Sequence, residues 1–115
     1  MGTSRPHQRI QDILQAIGNI FEFTAGMKQG ELETNIQKRY AVERCFLIIS
    51  EAATKLGPLA EEMEPDMPWR EIRDFGNVIR HAYDDVNATD MWDTIQNDLE
   101  QLKAACERMI SRTDI

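Results

Sequence analysis

The stretch RDFGNVIRHAYDDV, residues 73–86, gathers the guanidinium groups of Arg73 and Arg80, the amide of Asn77, the imidazole of His81 and the phenol of Tyr83. These are the parts that a phosphoryl-transfer site uses. Guanidinium forks stabilise charge on phosphate oxygens, an imidazole moves a proton near neutral pH, and an amide orients its neighbours. Set on a helix at about 100° per residue, Ile72, Phe75, Val78, Ile79, Ala82 and Val86 share one side and face a core. Arg73, Asn77, Arg80 and Asp84 cluster opposite, with His81 and Tyr83 on the flanks. Any amphipathic helix carries such a stripe in solvent, and Arg80 with Asp84 at i, i+4 fits an ordinary surface pair. Two features weigh against that reading, although spacing alone leaves the solvated face ahead. One is the density of chemically useful groups. The other is Gly76, on the polar face in mid-helix, where glycine costs about 1 kcal/mol relative to alanine. A glycine suits that position where a backbone, a partner helix or a phosphate must approach closely.

The elements that must position these groups read as helices throughout. Ile10, Ile13, Leu14, Ile17, Ile20 and Phe21 recur at spacings of three and four, predicting a first helix that stops near Gly26. A second runs from about Glu31 to Leu56; its centre, AVERCFLIISEAA, is apolar on most of its circumference, and Gly57-Pro58 ends it. The acidic LAEEMEPDMP reads as a short helical turn and then a solvated loop. Pro68 opens a third helix at Trp69 that carries the motif to about Tyr83. Asn87 or Thr89 caps a fourth, with Trp92, Ile95, Leu99, Leu102, Cys106 and Met109 on its apolar stripe. Trp69 and Trp92 read as core anchors. Glu43 and Glu51 either face the motif helix and hold an arginine or pair locally. The fold expected is an all-α, four-helix up-and-down bundle forming a single domain over residues 1–115, with its core at about residues 8–110.

Composition narrows the function classes. The 115 residues allow one core, and 42% hydrophobic with 29% charged residues fits a soluble globular chain. The net charge of −7 argues against a general nucleic-acid coat and leaves two openings, locally concentrated positive charge or a partner chain that is basic or shields the acidic surface. Cys45 and Cys106 form no CxxC pair and read as buried thiols. With His7 and His81 the only histidines, no metal-ligand spacing exists, so neither a metal nor another cofactor is expected. No apolar run is long enough to span a membrane, and MGTSRPHQR resembles no secretory leader, which places the expected location in the cytoplasm.

Three pieces, in this order and spacing, carry a resemblance: YAVERCFLIISEAATKL (40–56), MPWREIRDFGNVIRHAYDDV (67–86) and MWDTIQNDLEQL (91–102). Together they resemble the HepT-like branch of the HEPN superfamily, helical toxins found beside nucleotidyltransferase antitoxins. The resemblance implies a metal-independent endoribonuclease, built as a homodimer or higher oligomer, that cleaves RNA, tRNA among the candidates. The family signature is an arginine, a polar residue and then a histidine in His-x-Tyr. Here Asn77 matches the polar residue and His81-Ala82-Tyr83 the ending, but position 76, where the arginine usually stands, is glycine. Arg73 and Arg80 are the substitutes at hand.

The implied mechanism follows from residue types. His81 takes the proton of a ribose 2′-hydroxyl, an imidazole having an ordinary pKa of roughly 6.5. The oxygen attacks the adjacent phosphate, leaving a cyclic phosphate and a 5′-hydroxyl. Arg73 or Arg80 stabilises the phosphorane oxygens, and Asn77 orients the phosphate or the histidine. Arg80 and Tyr83 line the substrate path. The resemblance also makes Tyr83 the acceptor of AMP from the partner nucleotidyltransferase, which would block RNA by charge and bulk. The alternative reading is a non-catalytic helical partner of a nucleotidyltransferase, which the glycine at position 76 favours.

Overall fold

The computed structural model describes residues 5–81 and 88–112. The described residues form seven helices rather than four: α1 (Pro6–Thr24), α2 (Glu31–Thr34), α3 (Ile36–Leu56), α4 (Pro58–Met63), α5 (Trp69–His81), α6 (Ala88–Asn97) and α7 (Leu99–Ile110). Local chemistry explains the extra breaks. Asn35 leaves helical geometry at φ −96° and ψ 91°, and its side chain accepts the N–H of Lys38 at 3.0 Å, so it caps α3 rather than continuing α2. Asn97 and Asp98 are weak helix formers, and the last expected helix divides there into α6 and α7. Between α3 and α4, Gly57 adopts φ 60° with ψ −148°, a conformation that belongs to glycine, and Pro58 starts the next helix.

α3 is the central element. α1 packs along one side of it and α5 along another, while α7 lies against α1 and α6. Ile10, Ile13, Ile17 and Ile20 of α1 are fully buried, at the spacing one helical face requires. They meet Val42, Cys45, Ile49 and Leu56 of α3 and Leu102, Cys106 and Met109 of α7 in one cluster that draws on every helix. No helix among the described residues is long and apolar enough to cross a membrane.

Trp69 plugs the start of α5. It is 1% exposed, and its indole N–H donates to the carbonyl of Glu64 at 2.9 Å. The Glu64 carboxylate accepts from Arg108 at 2.6 Å and lies 3.7 Å from Arg112, tying the α4–α5 link to the end of α7. The acidic LAEEMEPD segment is the short helix and exposed stretch expected of it, except at Glu64. Glu64 is buried, and hydrogen bonding from Arg108 holds its carboxyl below the ordinary carboxylate range. Trp92 is partly buried against the core.

Candidate functional site

The motif lies on α5, but α5 is rotated from the orientation its pattern predicts. Val78, assigned to the core by periodicity, is 50% exposed, and Gly76, assigned to the polar face, is buried against α3. The cause is close approach. A Cβ on residue 76 would stand 2.7 Å from Ser50 Cβ and 3.1 Å from Ser50 Oγ, so only glycine fits. The Ser50 hydroxyl in turn donates to the carbonyl of Ile72 at 2.6 Å. One helix turn from this crossing, Phe46 and Phe75 meet edge to face with centroids 4.9 Å apart. The close neighbour that Gly76 makes room for is thus a helix of the same chain.

Arg73 is drawn into the structure. Its Nε donates to the carbonyl of Ala53 at 3.2 Å, and Nη2 to that of Gly57 at 3.0 Å. Nη1 and Nη2 grip the Glu61 carboxylate at 2.6 and 2.8 Å. Four of the five guanidinium N–H groups are used; one satisfies the Ala53 carbonyl, which the end of α3 leaves without a helical partner, and another adds to the Ala60 N–H already on the Gly57 carbonyl. The hydrogen bonds from Arg73 hold the Glu61 carboxyl below its usual range and push Arg73 itself upward. Glu61 is the arginine holder that sequence reasoning sought at Glu43 and Glu51. Those two instead face cations of their own helix, Glu43 with Arg39 and Glu51 with Lys55, each at 3.4 Å.

Arg80 is exposed. It folds back along α5 so that Nη2 donates to Asn77 Oδ1 at 3.0 Å. The same nitrogen lies 3.6 Å from where a Cβ on residue 76 would be. The structure thus brings Asn77 and Arg80 together and sets Arg73 apart with Glu61. His81 is the last residue of α5, and its side chain is outside the described set. Tyr83 and Asp84 lie outside the described residues. The arrangement offers a planar cationic fork and an amide on an exposed helix face immediately before a histidine, a combination suited to an oxyanion such as a phosphodiester.

Sequence reasoning missed Ser50 and Glu61. A small polar residue inside the otherwise apolar CFLIISEAA run was the available signal for Ser50, since a helix crossing that tight needs small groups on both sides. Glu61 carried no such signal.

On the other side of α5 an apolar groove of about 350 Å³ opens between α3, α5 and α7, floored by Phe46, Ile49, Ile72 and Phe75 with Leu99 and Leu102. Its chemistry is hydrophobic and separate from the Asn77–Arg80 face. Cys45 and Cys106 are buried free thiols, and burial pushes Cys106 up to about 12, so neither serves as a nucleophile. Among the described residues no group of three or more His, Cys, Asp or Glu side chains is placed to hold a metal ion.

The family model described as "Ribonuclease HepT-like" matches residues 13–109. "Putative RNase MJ1216" of Methanocaldococcus jannaschii is 30% identical over 101 residues, covering 88% of this chain and 84% of that protein. "Probable ribonuclease HepT" of Thermococcus cleftensis is 30% identical over 100 residues, covering 87% and 91%. "Putative RNase TTE0752" of Caldanaerobacter subterraneus is 26% identical over 112 residues, covering 97% and 98%. No solved structure matches the chain. A match of this length, with Asn77 and His81 carried on one helix and the described residues otherwise helical and without strands, makes the protein a member of the HepT-like ribonuclease family.

Proposed function

We propose that the protein is a metal-independent endoribonuclease that opens RNA by attack of a ribose 2′-hydroxyl on its own phosphodiester. The observation that carries this reading is the exposed Asn77–Arg80 pair, bonded at 3.0 Å on the helix that ends in His81, in a chain of this family. His81 takes the 2′-hydroxyl proton, the freed oxygen attacks phosphorus, and the 5′-oxygen leaves with a proton. The products are a 2′,3′-cyclic phosphate and a 5′-hydroxyl. A guanidinium beside the reacting phosphate stabilises the phosphorane oxygens. DNA, lacking the attacking hydroxyl, is not a substrate.

The protein works as a homodimer in this reading. Ile36, Tyr40 and Val78 are large apolar side chains at least half exposed, the kind of surface a second copy covers. Pairing two motif helices also doubles the positive charge available in a chain of net charge −7. The biological setting is a toxin paired with a nucleotidyltransferase that adds AMP to Tyr83, placing negative charge beside the cationic face. A tRNA is the first substrate to try.

The test is incubation of the purified protein with total tRNA in EDTA. Cleavage to cyclic-phosphate ends, absent in His81→Ala, establishes the reading. Intact RNA with a folded dimer favours the second reading, a non-catalytic partner of a nucleotidyltransferase, for which the glycine at position 76 is the supporting observation.

A further inference from the structure

We propose that the guanidinium meeting the substrate phosphate is that of Arg80, and that the Ser50–Gly76 crossing is what places it there. The proposal rests on the ribonuclease reading above and adds which residues arrange the charge.

The two candidate arginines are in different states. Recruiting Arg73 means breaking a clamp to Glu61 and to the carbonyls of Ala53 and Gly57. Arg80 needs no such rupture, because it is exposed and its hydrogen bond among the described residues is to Asn77, itself exposed. Residues 76 and 80 lie one turn apart, about 40° around the helix. Arg80 Nη2 lies 3.6 Å from where a Cβ on residue 76 would be, an ordinary van der Waals distance, so the guanidinium rests directly beside the Ser50–Gly76 crossing.

Ser50 explains why 76 is glycine. Its Cβ and Oγ fill the position that a residue-76 Cβ would need. Its hydroxyl donates at 2.6 Å to the Ile72 carbonyl, the helical acceptor of the Gly76 N–H. A carbonyl has two lone pairs, so one oxygen takes both donors and sets the register of α5 on α3. Ser50 is therefore a positioning residue, and Arg80 the phosphate contact.

Two assays separate this proposal from the reading beneath it: cleavage of tRNA in EDTA, and binding of a 2′-O-methyl RNA oligonucleotide, which cannot be cut, across a salt series. Arg80→Gln should lower cleavage ~10²–10³-fold. It should also flatten the salt slope of binding by about 1 per site while leaving thermal stability unchanged. Arg73→Gln should lower the melting temperature and leave the salt slope as it was. Ser50→Ala should lower kcat by up to ~10²-fold with little change in KM, a split that lost stability alone does not give. Gly76→Arg with Arg80→Gln should stay impaired, and adding Ser50→Gly should restore part of the binding. Wild-type binding and salt slope in Arg80→Gln, or a flattened slope in folded Arg73→Gln, overturns the proposal. If His81→Ala cuts as well as the wild type, the ribonuclease reading fails, and the binding series alone still decides Arg80.

Discussion

Two arginines seven positions apart on α5 have opposite fates. Arg73, near the root of the helix, is spent on Glu61 and on the end of α3; Arg80, a turn beyond the Ser50–Gly76 crossing, lies on the exposed face with Asn77. The difference is one of position relative to the packed end. Near the start of α5 the exposed Glu61 carboxylate and the Ala53 and Gly57 carbonyls converge and draw in Arg73, while Arg108 takes the buried Glu64 carboxylate. Toward His81 no such demand comes from the described residues, and Arg80 is exposed with its hydrogen bond among them made to Asn77. A charge on a polar stripe becomes part of a site only where the fold has not already used it.

The largest effect that would break this comparison is loss of the anchor. Trp69→Ala should cost about 3–5 kcal/mol in denaturant unfolding, because a fully packed indole is removed and the Glu64 carbonyl keeps only the Met67 N–H of its two donors. Arg80→Gln should cost catalysis instead, ~10²–10³-fold in kcat, with stability changed by no more than ~0.5 kcal/mol. Arg73→Gln should invert that pattern. Leaving the Ala53 carbonyl without its donor and Glu61 without its cation should destabilise by about 1–3 kcal/mol, while affinity for uncuttable RNA stays unchanged in the folded protein.

Acid should loosen the packed end. Glu61 and Glu64 are both held below their ordinary value near 4.5, so the unfolded chain binds more protons than the folded one as pH falls toward and below that value. The stability they contribute is present above it and is lost as pH drops through their folded values. Stability measured from pH 6 to pH 3 should fall in that lower window, and Glu64→Gln should flatten the fall. The smallest effect concerns the thiols. With Cys106 pushed up to about 12, alkylation at pH 8 should be negligible in the folded protein and prompt in denaturant.

Much of the architecture was legible before the structure. The isoleucines of α1 and the apolar run of α3 recur with helical period, and Gly57-Pro58 marks a boundary where the backbone needs glycine. The breaks at Asn35 and Asp98 were not read, because asparagine and aspartate tolerate a helix interior while favouring its ends. Within the motif, spacing put Asn77 and Arg80 on one face, and the structure shows them bonded. The same spacing put Gly76 on the polar side and Val78 in the core, and there periodicity misled. A helical wheel ranks residues by polarity, whereas a close crossing selects for size.

From the amino acids alone came the helical class, the family membership, the buried thiols and the few residues able to handle a phosphate, since all of these rest on residue type and short-range period. Only the tertiary structure decided which arginine is clamped and which stays exposed, and why residue 76 has no side chain. Those outcomes depend on Glu61, Ser50 and the carbonyls ending α3, partners between 12 and 26 positions away along the chain, and no local pattern encodes their arrival.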